Sequence, residues 1–124
     1  MRSALVALLA LLPATALAER SYRSEKGVTH DCAAEPEVAI NDGGGTYTLT
    51  GPCTRLVING GNNTIKAESV VKILLTGAKN TIEVEAVDRI AVNGNDNSVT
   101  YKRGVSGKPK VSALGGNNKL NQVK

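Results

Sequence analysis

A four-residue string returns along this chain at a nearly constant interval. It reads Gly60-x-x-Asn63, Gly77-x-x-Asn80, Gly94-x-x-Asn97 and Gly115-x-x-Asn118. Two places beyond each Asn stands Ile65, Ile82, Val99 or Leu120. The first three copies are 17 residues apart and the last follows after 21. A fixed period of this length marks a stack of similar units that bury a common core only by stacking.

The units superpose residue by residue. Before each Gly stand Leu56 and Ile58, Ile73 and Leu75, Ile90 and Val92, then Val111 and Ala113. After each Asn come Ile65 and Ala67, Ile82 and Val84, Val99 and Tyr101, then Leu120 and Gln122. Such alternation puts one side of a short strand on the core. A degenerate earlier unit is visible in Val38, Ile40, Tyr47 and Leu49, with Gly43-Gly44-Gly45 at its corner and Cys53 near the position of Val70 and Val87. No stretch has helical spacing. Phe and Trp are absent, and the apolar residues are mainly Val, Ile, Leu and Ala, which suit a narrow interior between closely stacked backbones.

The expected fold is all-β: a small parallel β-solenoid of four to five coils with a 17-residue repeat. Gly turns each corner and Asn amides join one coil to the next. The alternative is an antiparallel β-meander, in which Asn59-Gly60 and Asn93-Gly94 are hairpin turns. Residues 37–124 form the repetitive domain and residues 19–36 an irregular N-terminal arm or cap. Val105 to Lys110 adds four residues to the last interval, with Gly107 and Pro109, and reads as a loop extruded from the stack.

Residues 1–18 read as a cleaved secretory leader. Arg2 precedes an uncharged run from Ala4 to Leu12, and Ala16-Leu17-Ala18 supplies the small-x-small cleavage pattern. No segment approaches the ~20 apolar residues of a membrane span. No Cys follows the cleavage position, so a lipid anchor is not expected. A soluble periplasmic or secreted protein of a bacterium follows. In that compartment Cys32 and Cys53, the two cysteines of the chain, are expected to pair and tie the arm to the first unit. His30 beside them is read as a surface residue, since one His is a poor basis for a metal site.

Chemistry is harder to place. Asn93-Gly94-Asn95-Asp96-Asn97 is similar to the turns of calcium-binding nonapeptide repeats, but Asp96 is the one acid among the four corners and calcium needs several hard oxygen ligands. Glu83, Glu85 and Asp88 share one coil; Glu83 and Glu85 alternate with Ile82 and Val84 and are expected in solvent, paired across coils with neighbours such as Lys66. No catalytic residue, metal or cofactor is assigned. The net charge of +4 is modest. After Asp96, however, the chain carries Lys102, Arg103, Lys108, Lys110, Lys119 and Lys124 and no acid. Lys102, Arg103, Lys108, Lys110 and Lys119 are candidates for binding an anionic partner. Thr64, Thr81, Ser98 and Lys119, each following a corner Asn, form a possible rank for a repeating ligand. Nucleic acid is not expected, because charge is modest and aromatics are scarce.

The leader, the two cysteines and the repeated V-x-I/V-x-G-x-x-N-x-I/V string resemble the bacterial family known as domain of unknown function 3060. Val57 to Ile65, Leu74 to Ile82 and Ala91 to Val99 carry the resemblance, with a weaker copy from Leu114 to Leu120. The resemblance implies an exported or lipid-anchored protein with a small repetitive β fold and no established activity. The expected function is a non-enzymatic structural or binding protein of the envelope or extracellular space. Its partner would be an envelope glycan, an anionic polymer or another envelope protein. The alternative is a polysaccharide-acting enzyme or metal-dependent module on the same scaffold.

Overall fold

Apolar and polar residues alternate in Thr64–Glu68, and in Lys72–Thr76 buried residues alternate with more exposed ones, Leu74 among them; each run becomes one side of a coil. Between them the inward spacing changes from two to three: Ile65, Ala67, Val70, Ile73 and Leu75 are all buried. A straight strand keeps a spacing of two, so the steps of three at Val70 are where the chain bends around the core. The structure is a computed structural model and describes residues 19–124. The leader read in residues 1–18 lies outside the described residues.

Nine strands follow in order: β1 (Arg20–Tyr22), β2 (Val28–Asp31), β3 (Glu37–Asn41), β4 (Thr46–Gly61), β5 (Thr64–Ala78), β6 (Thr81–Asn95), β7 (Ser98–Arg103), β8 (Lys110–Leu114) and β9 (Lys119–Gln122). Every pairing among them is parallel. This rules out the meander, whose neighbours would be antiparallel hairpins. The long strands β4, β5 and β6 bend and so serve two faces. The first face stacks β2, the N-terminal half of β4, those of β5 and β6, then β7 and β9. The second stacks β1, β3, the C-terminal halves of β4, β5 and β6, then β8.

The solenoid therefore has about six turns, against the four to five expected. The additional turn comes from the N-terminal segment. Instead of an irregular arm, it contributes β1 over β3 and β2 over β4. It lacks the Gly-x-x-Asn corner, so periodicity could not reveal it. Tyr22 and His30 there fill the column positions that Ile58 and Ala67 fill lower in the stack.

The register reproduces the expected columns. Val38, Leu56, Ile73 and Ile90 lie in line on the second face, and Tyr47, Ile65, Ile82 and Val99 on the first. All eight are buried, and each aliphatic one among them adds about 1.5–3 kcal/mol by removal from water. The rings gather toward the ends. Tyr22 packs on Tyr47 at 5.5 Å and edge-on to His30 at 5.6 Å. Burial pushes the Tyr47 phenol above its ordinary range, and its hydroxyl donates to the Arg23 carbonyl.

His30 is buried, which corrects the surface reading. One ring nitrogen, Nε2, donates to the Glu35 carbonyl at 2.8 Å, and Nδ1 accepts from the Tyr22 hydroxyl at 2.8 Å. Both nitrogens are thus used to fix the terminal coil.

Cys32 and Cys53 form a disulfide with Cα atoms 4.9 Å apart. Cys53 aligns with Val70, and both cysteines are buried, so the bond occupies a core column. It arrives where β4 carries an extra residue between Leu49 and Pro52, with Gly51 at φ 75°. The closed loop has a sequence separation of 21, for which chain entropy gives about 3 kcal/mol. Replacing both cysteines by Ala is expected to lower unfolding stability by that amount in urea titrations. A loss below about 1 kcal/mol would show that the first coil is held without it.

Candidate functional site

The corner is the most constrained part of each coil. Asn63, Asn80 and Asn97 are buried and form a column with Asn118. Asn80 Oδ1 accepts from the Asn63 backbone N–H and from Asn63 Nδ2, both at 3.1 Å. Its Nδ2 donates to the Gly60 carbonyl at 2.9 Å and to Asn97 Oδ1 at 3.0 Å. Both amide hydrogens and both acceptor positions are therefore used, the full capacity of the side chain. The residue before each Asn takes the left-handed conformation: Asn62, Lys79, Asp96 and Asn117 have φ near 60° (60°, 61°, 59° and 58°). Asn and Asp tolerate this conformation best, so Asp96 is accounted for as a turn residue.

The outward positions form ranks because the register carries them from coil to coil. On the first face Thr46, Thr64, Thr81, Ser98 and Lys119 lie in one column. Thr48, Lys66, Glu83 and Thr100 form the next. Together with Glu68, Glu85 and Lys102 these line an open trough of about 480 Å³. Cross-coil pairing is partial there. Glu85 meets Arg103 at 4.0 Å, while Glu68 accepts from the Gly51 N–H at 3.0 Å. Lys66 and Glu83 are in register without forming an ion pair.

The second face differs. Its outer column runs Glu37, Arg55, Lys72, Arg89, Lys110. Four cations thus stand on successive rungs, about 4.8 Å apart, and all four are exposed. Among the described residues, none of the four has a carboxylate oxygen within ion-pair distance. Like charges directly opposite across a sheet are destabilising, so this column is not explained by stability. Beside it run Val57, Leu74 and Ala91, half-buried, and then Asn59, Thr76 and Asn93, exposed.

The extruded loop between β7 and β8 borders the basic column. Asp88 pins it: its Oδ1 accepts from the Val105 and Ser106 N–H groups at 2.7 and 2.9 Å, and its Oδ2 from the Ser106 hydroxyl at 2.6 Å. The Ser106 hydroxyl, followed by these backbone donors, holds the Asp88 carboxyl below its usual range. A depressed folded value means that docking is at full strength above the unfolded carboxylate pKa of about 3.9 and is lost as pH falls through the folded value. Amide exchange of Val105 and Ser106 should therefore speed up on acidification relative to the corner amides. In Asp88→Ala it should be fast already at pH 6.

The family model described as "Protein of unknown function (DUF3060)" matches residues 43–82 and again residues 74–117. The chain belongs to the DUF3060 family. No curated protein and no solved structure gives a significant match. The two DUF3060 matches cover the corners at Asn63, Asn80 and Asn97, so the family signature is the scaffold itself, and its description names no activity.

Within this DUF3060 chain the basic candidates of the C-terminal region do not form one patch. Lys102 and Lys119 lie on the first face, in β7 and β9. Arg103 is engaged by Glu85, Lys108 is on the loop, and Lys110 heads the column on the second face. Arg55, Lys72 and Arg89 were missed by the sequence reading. Their signal was present, since they repeat at the interval of 17 that defines the coils. Of the acids weighed for catalysis, Glu85 and Asp88 are engaged as described and Glu83 stands in solvent. Among the described residues no three His, Cys, Asp or Glu side chains converge to hold a metal ion.

Proposed function

We propose that this protein is an exported, non-enzymatic binding scaffold of the bacterial envelope or extracellular space. One observation carries the reading: equivalent outward residues of successive coils stand in straight columns, so each face is a lattice of repeated groups. A lattice of this kind complements a ligand that itself repeats. The use of Asp88 to pin the loop between β7 and β8 supports binding over catalysis. The buried disulfide suits an oxidising compartment, and the leader pattern of residues 1–18 suits export.

The test is retention of the disulfide-bonded protein on a panel of acidic and neutral envelope polysaccharides, with the polymers analysed for chain length afterwards. Binding without shortening is expected. Release of shorter chains or new reducing ends would favour the enzyme reading. Mass spectrometry of the protein recovered outside the cytoplasm should give an N-terminus at Glu19; an intact Met1 would overturn export through this leader.

A further inference from the structure

Across the second face the residue types change in an ordered way. Over three successive coils the outer column is cationic (Arg55, Lys72, Arg89), the middle column is apolar (Val57, Leu74, Ala91) and the inner column offers amides and a hydroxyl (Asn59, Thr76, Asn93); on the next rung Lys110 continues the cations beside Ser112 and Leu114. Successive columns are two residues apart along a strand, about 6.6 Å. The loop that Asp88 pins raises a wall beside the cations and adds Lys108 to them. One hollow there is lined by Lys72, Arg89, Lys108 and Lys110 together with Asp88, whose carboxylate is taken up by Ser106 and Val105, and a second by Lys72, Arg89 and Lys110 with Leu74 and Ala91. The two hollows share Lys72, Arg89 and Lys110, which stand on successive rungs along the solenoid axis, and Arg55 extends the cationic column by one rung beyond them, so that together they form one track.

We propose that this track binds a linear acidic polysaccharide lying along the axis. Its carboxylates would meet the cationic column, the C–H face of its sugars would lie on the apolar column, and its hydroxyls would bond the Asn and Thr column. This rests on the binding-scaffold reading and names the ligand class and the face. Two features call for a regular polyanion, and a third favours a glycan over nucleic acid. The cations repeat at every coil, matching a chain with acid groups at regular intervals. Arg offers the planar fork that takes a carboxylate or a phosphate two-pronged, and it alternates here with Lys. Tyr22, Tyr47 and Tyr101 all point toward the core, so the face has no ring on which nucleic-acid bases could stack. The self-repulsion of four unpaired cations is relieved when anions enter, so ligand and column stabilise each other.

The test uses oligogalacturonate as probe, with dextran as neutral glycan and single-stranded oligo-dT as the competing polyanion, in calorimetric titrations of the disulfide-bonded protein at two salt concentrations. Arg55→Gln/Lys72→Gln/Arg89→Gln should lose at least 100-fold in affinity. Lys102→Gln/Arg103→Gln/Lys119→Gln removes the same charge from elsewhere and should change affinity less than threefold. Without ligand, the first triple variant should melt no lower than the parent, since its substitutions are outward and relieve repulsion. Equal losses in the two variants would overturn the track while leaving a binding scaffold, as would tighter binding of oligo-dT than of oligogalacturonate. Binding of dextran with no response to acidic glycan would also overturn the track and keep the scaffold reading. Retention of no polymer at all would remove both.

Discussion

Replacing Asn80 with Ala should destabilise the protein by about 4 kcal/mol, at the upper end of single-residue effects. Asn80 is fully buried. The truncation strips the Asn63 N–H, one Asn63 amide hydrogen and the Gly60 carbonyl of their partners, and half of what Asn97 Oδ1 accepts. Each buried polar group left unpaired costs about 1–3 kcal/mol, and water entering the space returns part of it. Asn80→Asp keeps the acceptor but loses both donors and brings a charge into the column, so it should not rescue. Asn118→Ala is the control. Asn118 makes the same kind of bonds at the partly exposed last coil, where freed groups reach water, and about 1 kcal/mol is expected. Urea titrations followed by circular dichroism give both values. If Asn80→Ala costs no more than Asn118→Ala, the amide column is not what joins the coils.

Gly77→Ala should be as damaging or worse, costing more than about 4 kcal/mol or preventing folding. Gly77 has φ 141°, and a Cβ built on it would stand 1.7 Å from the Gly60 carbonyl oxygen of the preceding coil. The obstructing atom is backbone within the stack, so relief requires the two coils to part and the hydrogen bonds around them to stretch. Gly44→Ala separates this contact from conformation. Gly44 also has positive φ, at 79°, but nothing lies within 4 Å of the added Cβ. It should lose only the left-handed penalty of about 1 kcal/mol. Similar losses at the two positions would mean that backbone conformation, not coil approach, sets the need for glycine.

These two experiments probe the part of the molecule most legible in the sequence. Gly60, Gly77 and Gly94 and their Asn partners repeat because stacking demands the same contact at each coil. The alternation of Ile65 and Ala67, or Ile73 and Leu75, marked the inward side for the same reason. What escaped was whatever lacks the period or needs three dimensions to be seen. Residues 19–36 carry no corner motif, yet β1 and β2 add a turn because an open end of the core needs covering. His30 looked like a surface residue because its two hydrogen-bond partners, Tyr22 and Glu35, are set by the path of that turn. The C-terminal run of cations looked like a cluster because its members are close in sequence, but alternation and the bend of each coil send Lys102 and Lys110 to different faces.

The sequence by itself determined a stack of 17-residue units, its inward residues and its corners, while the parallel pairing that excludes the meander came from the tertiary structure. Repetition and residue-type alternation are local properties that survive without coordinates. Tertiary structure alone decided the number of turns, the burial of His30 and the meeting of Arg55, Lys72, Arg89 and Lys110 in one column. Residues 17 apart in the chain become neighbours only when each coil closes on the one before it, and parallel register then turns a period in sequence into a surface in space.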